Sequence, residues 1–214
     1  MTKTILALLC LFLVNTIQAQ NDPKAKAILD NVSQKVKSLK SLKANFSITI
    51  SGAKGSKPQS KKGTVNMKGD KYYVTLSGQE IYCDSKTIWT YTKESNEVQI
   101  TSFDPKENSF TPSKLFTNFY DKEYSYKYAG EQTSGGKKVD VINLTPTNKS
   151  KQYSRIELMI DKANNVVAGG KMYEKNGNVY AYTVSGYTPN PALADNIFIF
   201  NAKKYPKVEV IDLR

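Results

Sequence analysis

The chain has 214 residues, 31 Lys and Arg against 19 Asp and Glu, a formal charge of +12, two cysteines and no histidine. Without histidine, and with so little cysteine, the usual zinc sites and Ser-His-Asp or Cys-His catalysis are excluded. No Gly-rich phosphate loop follows a strand and opens a helix, and with Arg155 and Arg214 the only arginines, lysines spread along the whole chain do not make a nucleic-acid-reading face.

The first residues read as an export signal. Lys3 supplies a positive start, Ile5 to Val14 an apolar run, and Ile17-Gln18-Ala19 ends in the small residue that signal peptidase takes. That run is too short to span a bilayer, so residues 1–19 are expected to be cleaved and 20–214 to form a single exported domain. Lipidation at Cys10 is disfavoured by the bulky Leu9 before it. Cleavage leaves Cys83 without a disulfide partner, most simply a small buried hydrophobe in Ile81-Tyr82-Cys83.

An amphipathic helix of about five turns comes next. Asp22 can cap it, Pro23 suits its first position, and Ala25, Ile28, Leu29, Val32, Val36 and Leu39 recur at spacings of three and four. Lys35, Lys37, Lys40 and Lys43 load its C-terminal end, where cations favour the helix dipole. Its apolar side needs a partner, and everything after it is β.

The period then changes from 3.6 to 2. Phe46, Ile48 and Ile50 alternate with Asn45, Ser47, Thr49 and Ser51 in a strand over 44–51. Residues 54–62, rich in lysine with Gly55 and Pro58, read as an exposed loop. Strands are expected at 63–67, 71–76, 80–83, 87–92 and 97–103. Then comes Phe110 to Phe119, a short helix with Thr111 as cap, Pro112 at its start, and Leu115, Phe116 and Phe119 on one face. It reads either as a lid over an apolar cavity or as the plug of an ordinary barrel end.

Further strands are expected at 123–128, 138–145, 153–161, 166–174, 179–187 and 196–200. Gly69-Asp70, Asp84-Ser85-Lys86, Gly135-Gly136, Asn164-Asn165 and Asn176-Gly177 separate neighbours with hairpin chemistry. Ser134 and Lys137 have Ser-x-x-Lys spacing, but they flank one of these turns and read as hairpin rather than catalytic residues. The fold class is therefore mainly β: a curved antiparallel sheet or incomplete up-and-down barrel of about eleven strands, with consecutive neighbours paired.

A barrel of that size is too wide for side chains alone to fill, so its interior calls for a helix, a ligand or both. Inward candidates are Phe46, Ile48, Ile50, Val65, Met67, Val98, Ile100, Ile156, Leu158, Ile160, Phe198 and Phe200. No carboxylates converge beside them, which points to an apolar ligand rather than to a reaction. Fourteen tyrosines, among them Tyr124, Tyr126, Tyr128, Tyr180 and Tyr182, suit cavity mouths or ordinary exposed strands. The lysine coat either solvates the protein or brings it to anionic membranes.

The N-terminal helix, Leu42-Lys43-Ala44-Asn45-Phe46, Asp84-Ser85-Lys86-Thr87-Ile88-Trp89-Thr90-Tyr91, Leu144-Thr145-Pro146, the hairpin Ile156 to Val166 and the closing Ala194-Asp195-Asn196-Ile197-Phe198-Ile199-Phe200 come in this order behind a signal peptide. Together they resemble the LolA family of periplasmic lipoprotein carriers, over roughly Ala25 to Val210. The resemblance implies an incomplete barrel with a helical lid formed by Leu115, Phe116 and Phe119. It places Phe46, Trp89 and Tyr91 in strands that line or support the cavity. Implied partners are acylated lipoproteins, an inner-membrane ABC-type release complex and an outer-membrane acceptor, served by a monomer without cofactor, metal or catalytic residue.

One departure stands out. Better-known members carry an arginine followed by proline, which helps hold the lid, in the turn that here reads Lys68-Gly69-Asp70-Lys71. Closure here is left to apolar contact, a nearby lysine or another donor. Carriage of another lipid or glycolipid, and a ligand-free interaction module, stay open as rival readings.

Overall fold

A computed structural model describes residues 21–52, 57–104 and 120–214. Helix α1 (Pro23–Lys37) is followed by strands β1 (Leu42–Ser51), β2 (Gln59–Lys68), β3 (Lys71–Leu76), β4 (Gln79–Cys83), β5 (Thr87–Thr92) and β6 (Glu97–Ser102). After the turn α2 (Tyr120–Glu123) come β7 (Tyr124–Ser134), β8 (Lys137–Pro146), β9 (Tyr153–Asp161), β10 (Val166–Glu174) and β11 (Val179–Pro189). Two 3-10 turns, Asp195–Phe198 and Ala202–Lys204, lead to β12 (Glu209–Asp212).

The twelve described strands form one curved sheet in the order β12-β6-β5-β4-β3-β2-β1-β11-β10-β9-β8-β7. It consists of two antiparallel meanders, and consecutive pairing fails between them. β6 does not meet β7; instead β1 pairs with β11 along its whole length, from Leu42 opposite Pro189 to Ser51 opposite Val179. The sheet therefore stays open, with β7 and β12 at its edges. β12 is the one described strand that runs parallel to its neighbour, β6.

Two sequence expectations change. Residues 59–62, expected in a loop, extend β2 opposite Ser47 to Ile50 of β1, because the long first strand offers them a backbone partner. The apolar run 196–200, expected as a strand, instead begins in a 3-10 turn that rests on β3 and β4 rather than pairing with any strand. Both of those strands already have two neighbours in the sheet. The lid candidates Leu115, Phe116 and Phe119 lie outside the described residues, as does the signal segment.

Sequence chemistry explains how α1 is held. Asp22 accepts from the backbone N–H groups of Lys24 at 2.8 Å and Ala25 at 3.3 Å, capping the helix, and its other oxygen accepts from the Tyr128 N–H of edge strand β7 at 3.0 Å. Hydrogen bonds from Tyr128, Ala25 and Lys24 hold its carboxyl below the usual aspartate range despite an opposing burial effect. From there α1 lies across β7 and β10 and buries Ala25, Leu29 and Val32. Asp22→Ala is expected to cost about 1–2 kcal/mol, since it removes a helix cap and a strand-edge partner together. Chemical denaturation measures it, and Asp22→Asn should recover part of the loss by keeping one acceptor oxygen.

Candidate functional site

Pairing register divides the apolar side chains between the two faces of the sheet. Leu42, Ala44, Phe46, Ile48 and Ile50 of β1 stand opposite Met67, Val65, Gly63, Lys61 and Gln59 of β2. On the other side they meet Pro189, Tyr187, Val184, Tyr182 and Tyr180 of β11. Following the register outward adds Tyr72 and Val74 of β3, Gly170 and Met172 of β10, Ile156 and Leu158 of β9, and Ile142 and Leu144 of β8. This is the face that α1 covers, and its buried members form one apolar cluster with Leu29 and Val32.

Cover on this face is uneven along the strands. At the start of β1, Leu42 and Ala44 are 1% and 2% exposed, with Met67 at 5% and Val65 at 6% beside them. Further along, Phe46, Ile48 and Ile50 are all half-buried. The same strands thus run from a dry floor to an apolar shelf that the described helix residues leave partly uncovered. Tyr182 and Met172 continue the shelf on β11 and β10 as partly buried members of the cluster.

Two glycines shape it. A Cβ on Gly63 would lie 2.6 Å from the Phe46 ring, and one on Gly170 would lie 2.8 Å from the Tyr182 ring. Each absent side chain lets an aromatic lie flat on the sheet. Burial pushes the Tyr182 hydroxyl pKa up, in keeping with its apolar surroundings.

Of the fourteen cavity candidates, Phe46, Ile48, Ile50, Val65, Met67, Ile156, Leu158 and Ile160 come together on this face. Trp89, Tyr91, Val98 and Ile100 do not, because Trp89 pairs with both Tyr82 and Ile100, and Tyr91 with Val98, on the opposite face. Phe198, fully buried, and Phe200, which packs on Tyr82 and Tyr91, belong to the C-terminal segment on that opposite side and stand apart from the cluster under α1. Sequence reasoning missed Val184 and Met172 as shelf residues and left Tyr182 open between a cavity mouth and an ordinary exposed strand. Alternation of Tyr180, Tyr182 and Val184 with polar or small residues was the available signal, but it does not show that β11 lies beside β1.

The opposite face is organised around a carboxylate. Glu80 Oε2 accepts from the hydroxyls of Tyr82 at 2.6 Å, Tyr73 at 2.7 Å and Tyr205 at 3.0 Å. The Tyr205 ring stacks on Phe200 with centroids 4.9 Å apart and packs on Tyr91 at 4.2 Å, so the C-terminal segment is fastened over β4 and β5. Burial raises the Glu80 pKa, but the three phenol hydrogen bonds outweigh it and hold the carboxyl below its ordinary 4.5. The Tyr73 phenol is pushed up to about 12, first by burial and then by its bond to Glu80.

Because the folded Glu80 pKa lies below the unfolded value, its stabilisation is fully present above pH 4.5 and fades as pH falls through the folded value. Wild type is therefore expected to lose its stability advantage over Glu80→Gln on acidification below about pH 4.5. Denaturant midpoints of the two proteins across that range test this; parallel curves would show that the carboxylate charge plays no part.

The turn Lys68-Gly69-Asp70-Lys71 also engages this segment. Lys68 Nζ lies 2.8 Å from Asp195 Oδ1 and Lys71 Nζ 3.2 Å from Oδ2. Both lysines of the turn thus meet the carboxylate at the start of the first 3-10 turn. These are exposed pairs of modest energy.

The family model for "Outer membrane lipoprotein carrier protein LolA" matches residues 37–201. An outer-membrane lipoprotein carrier protein of Pasteurella multocida is 28% identical over 212 residues, which cover 97% of this chain and 95% of that one. Among solved structures, an uncharacterized conserved protein from Thermus thermophilus superposes with a TM-score of 0.61 at 13% identity, covering 88% of this chain and 99% of that one. That last likeness is one of fold.

Proposed function

This chain belongs to the LolA family of outer membrane lipoprotein carrier proteins, and from that premise we propose that its helix-covered face holds the acyl chains of lipoproteins in transit across the periplasm. Lipoproteins are received from an inner-membrane ABC-type release complex and passed to an acceptor at the outer membrane. The observation that carries this reading is the shelf of Phe46, Ile48 and Ile50, half-buried and continuous with a dry apolar floor. Chains laid along β1 replace water on that shelf, and the Phe46 and Tyr182 rings give it a smooth wall.

The energetics call for such a carrier. At about 0.8 kcal/mol per methylene, one chain of roughly 14 carbons is worth about 11 kcal/mol against water, so an acylated protein does not cross an aqueous space unaided. Release needs only an acceptor that binds the chains more tightly, and no bond is made or broken by this protein. In this proposal Leu115, Phe116 and Phe119 form the apolar segment that incoming chains displace, residues 1–19 direct export, and residues 20–214 act as a monomer without cofactor.

Depleting the protein in its native host and locating the lipoproteins tests the reading. Accumulation at the inner membrane is expected. Normal sorting, combined with free lipids or glycolipids extracted by the purified protein on mass spectrometry, would replace lipoproteins with another lipid cargo.

A further inference from the structure

We propose that residues 57–62, the start of β2 that overhangs β3 beside β1, are the surface by which this protein docks on an anionic bilayer, with Lys57, Lys61 and Lys62 meeting lipid phosphates beside the open apolar shelf. The docking surface rests on the proposed carrier reading only in using the same shelf. Its own argument is geometric and electrostatic. β2 pairs with β1 from Gln59 onward but meets β3 only from Gly63, opposite Leu76. Residues 59–62 therefore overhang the end of β3, by about 13 Å at some 3.3 Å per residue, with one backbone edge unpaired within the sheet.

The overhang carries an unusual charge distribution. Between Asp30 and Asp70 there are nine lysines and no Asp or Glu. In the fold this produces four adjacent strands, β3, β2, β1 and β11, that contain no carboxylate at all. Lys57, Lys61 and Lys62 are exposed and make no ion pair with any described residue, whereas Lys68 and Lys71 at the other end of β2 are held by Asp195. Among the lysines of β2 and the residues leading into it, those without an ion pair to any described residue are the ones at the end of the sheet where Ile48 and Ile50 are half-buried.

Register places these groups so that one contact serves both. Lys61 stands opposite Ile48 on the shelf side, and Lys62 opposite Ser47 on the reverse side. A hairpin with apolar residues on one face and ammonium groups at its free edge matches the boundary between lipid headgroups and acyl chains. Docked there, the shelf opens toward the lipid phase, and acyl chains move between membrane and protein without full exposure to water. An acidic protein partner would use the lysines but give no role to their adjacency to Ile48 and Ile50, so the bilayer is the occupant that uses both.

Co-sedimentation with vesicles tests the proposal. The full-length mature protein is expected to bind phosphatidylcholine vesicles containing about 30% phosphatidylglycerol, to bind pure phosphatidylcholine weakly, and to be released by salt near 1 M. Replacing Lys57, Lys61 and Lys62 together with Gln should lower the partition coefficient by roughly 100-fold, at about 5-fold per lysine near the surface. The equally discharged variant Lys86→Gln, Lys93→Gln, Lys127→Gln should lose far less. Equal losses in the two triple variants would reduce the effect to net charge and overturn the proposal, as would equal binding to both vesicle types.

Binding of a fluorescent fatty acid by the same proteins separates the two readings. If the hairpin variant keeps fatty-acid binding while losing vesicles, docking is local to the lysines. If wild type binds vesicles but no fatty acid, the carrier reading falls while the docking surface stands.

Discussion

Phe198→Ala is expected to cost about 3–5 kcal/mol of stability, the range for emptying a fully buried aromatic site, while leaving acyl-chain uptake by the folded protein unchanged. Phe198 is 0% exposed, at the end of a 3-10 turn that rests on β3 and β4. It lies on the side of the sheet away from α1, where Phe200 and Tyr205 pack over Tyr82 and Tyr91. Truncating it leaves a void between the sheet and the C-terminal segment, and the next anchors along the chain, the Tyr82 and Tyr205 hydrogen bonds to Glu80, are individually weaker. Guanidinium denaturation with a parallel fatty-acid titration reads both quantities. Unchanged stability with abolished uptake would move Phe198 to the cavity and reverse the assignment of faces.

That same residue shows what was legible in the sequence and what was not. Strand positions follow from a period of two and from turn residues, so β3, β5, β9 and β10 fall where alternation and hairpin signals place them. The turns were legible for a steric reason: Gly69, Ser85, Gly135, Gly136, Asn165 and Gly177 all have positive φ, a region that Gly and Asn tolerate best. Alternation says that a strand has two faces, but it does not say which face a helix covers. Val98, 0% exposed, and Val65, 6% exposed, look alike in the sequence because each is inside, one under the C-terminal segment and one under α1.

Long-range pairing was the other illegible part. β1 and β11 are separated by more than a hundred residues, and nothing local to Ala44 announces Tyr187 as its partner. Hairpin chemistry favours sequence neighbours, and it breaks down where β6 is followed by residues 105–119 rather than by a two-residue turn. The shelf depends on that pairing, since half of its wall comes from β11. Phe46, Ile48 and Ile50 were identifiable from their own strand, whereas for Tyr182 the choice between a cavity mouth and an exposed strand was settled only once its partner Ile48 was known. The family resemblance implied an incomplete barrel but not which strands close on one another, so the pairing of β1 with β11 came from the structure alone.

Ile48→Lys should lower acyl-chain affinity by roughly 100-fold, or about 3 kcal/mol, while changing stability by less than about 1 kcal/mol. Ile48 is half-buried, so in the empty protein the new ammonium reaches water at little cost. A bound chain removes that water, and the four strands around the site hold no carboxylate to take its place. Lys61, directly opposite, adds like-charge repulsion when the site is dry. Snorkelling toward the rim keeps the penalty near the lower end of what a desolvated charge costs. Against about 11 kcal/mol for one chain of roughly 14 carbons, a loss of this size still permits binding from water, but it tilts the exchange toward the membrane, so loading should fail before solubility does. Ile48→Leu serves as the control that keeps the surface apolar, and anionic-vesicle docking should persist in Ile48→Lys because a positive charge is gained rather than lost. Undiminished fatty-acid binding by Ile48→Lys would mean that the chains do not lie against β1, and the helix-covered face would lose its claim to the cargo.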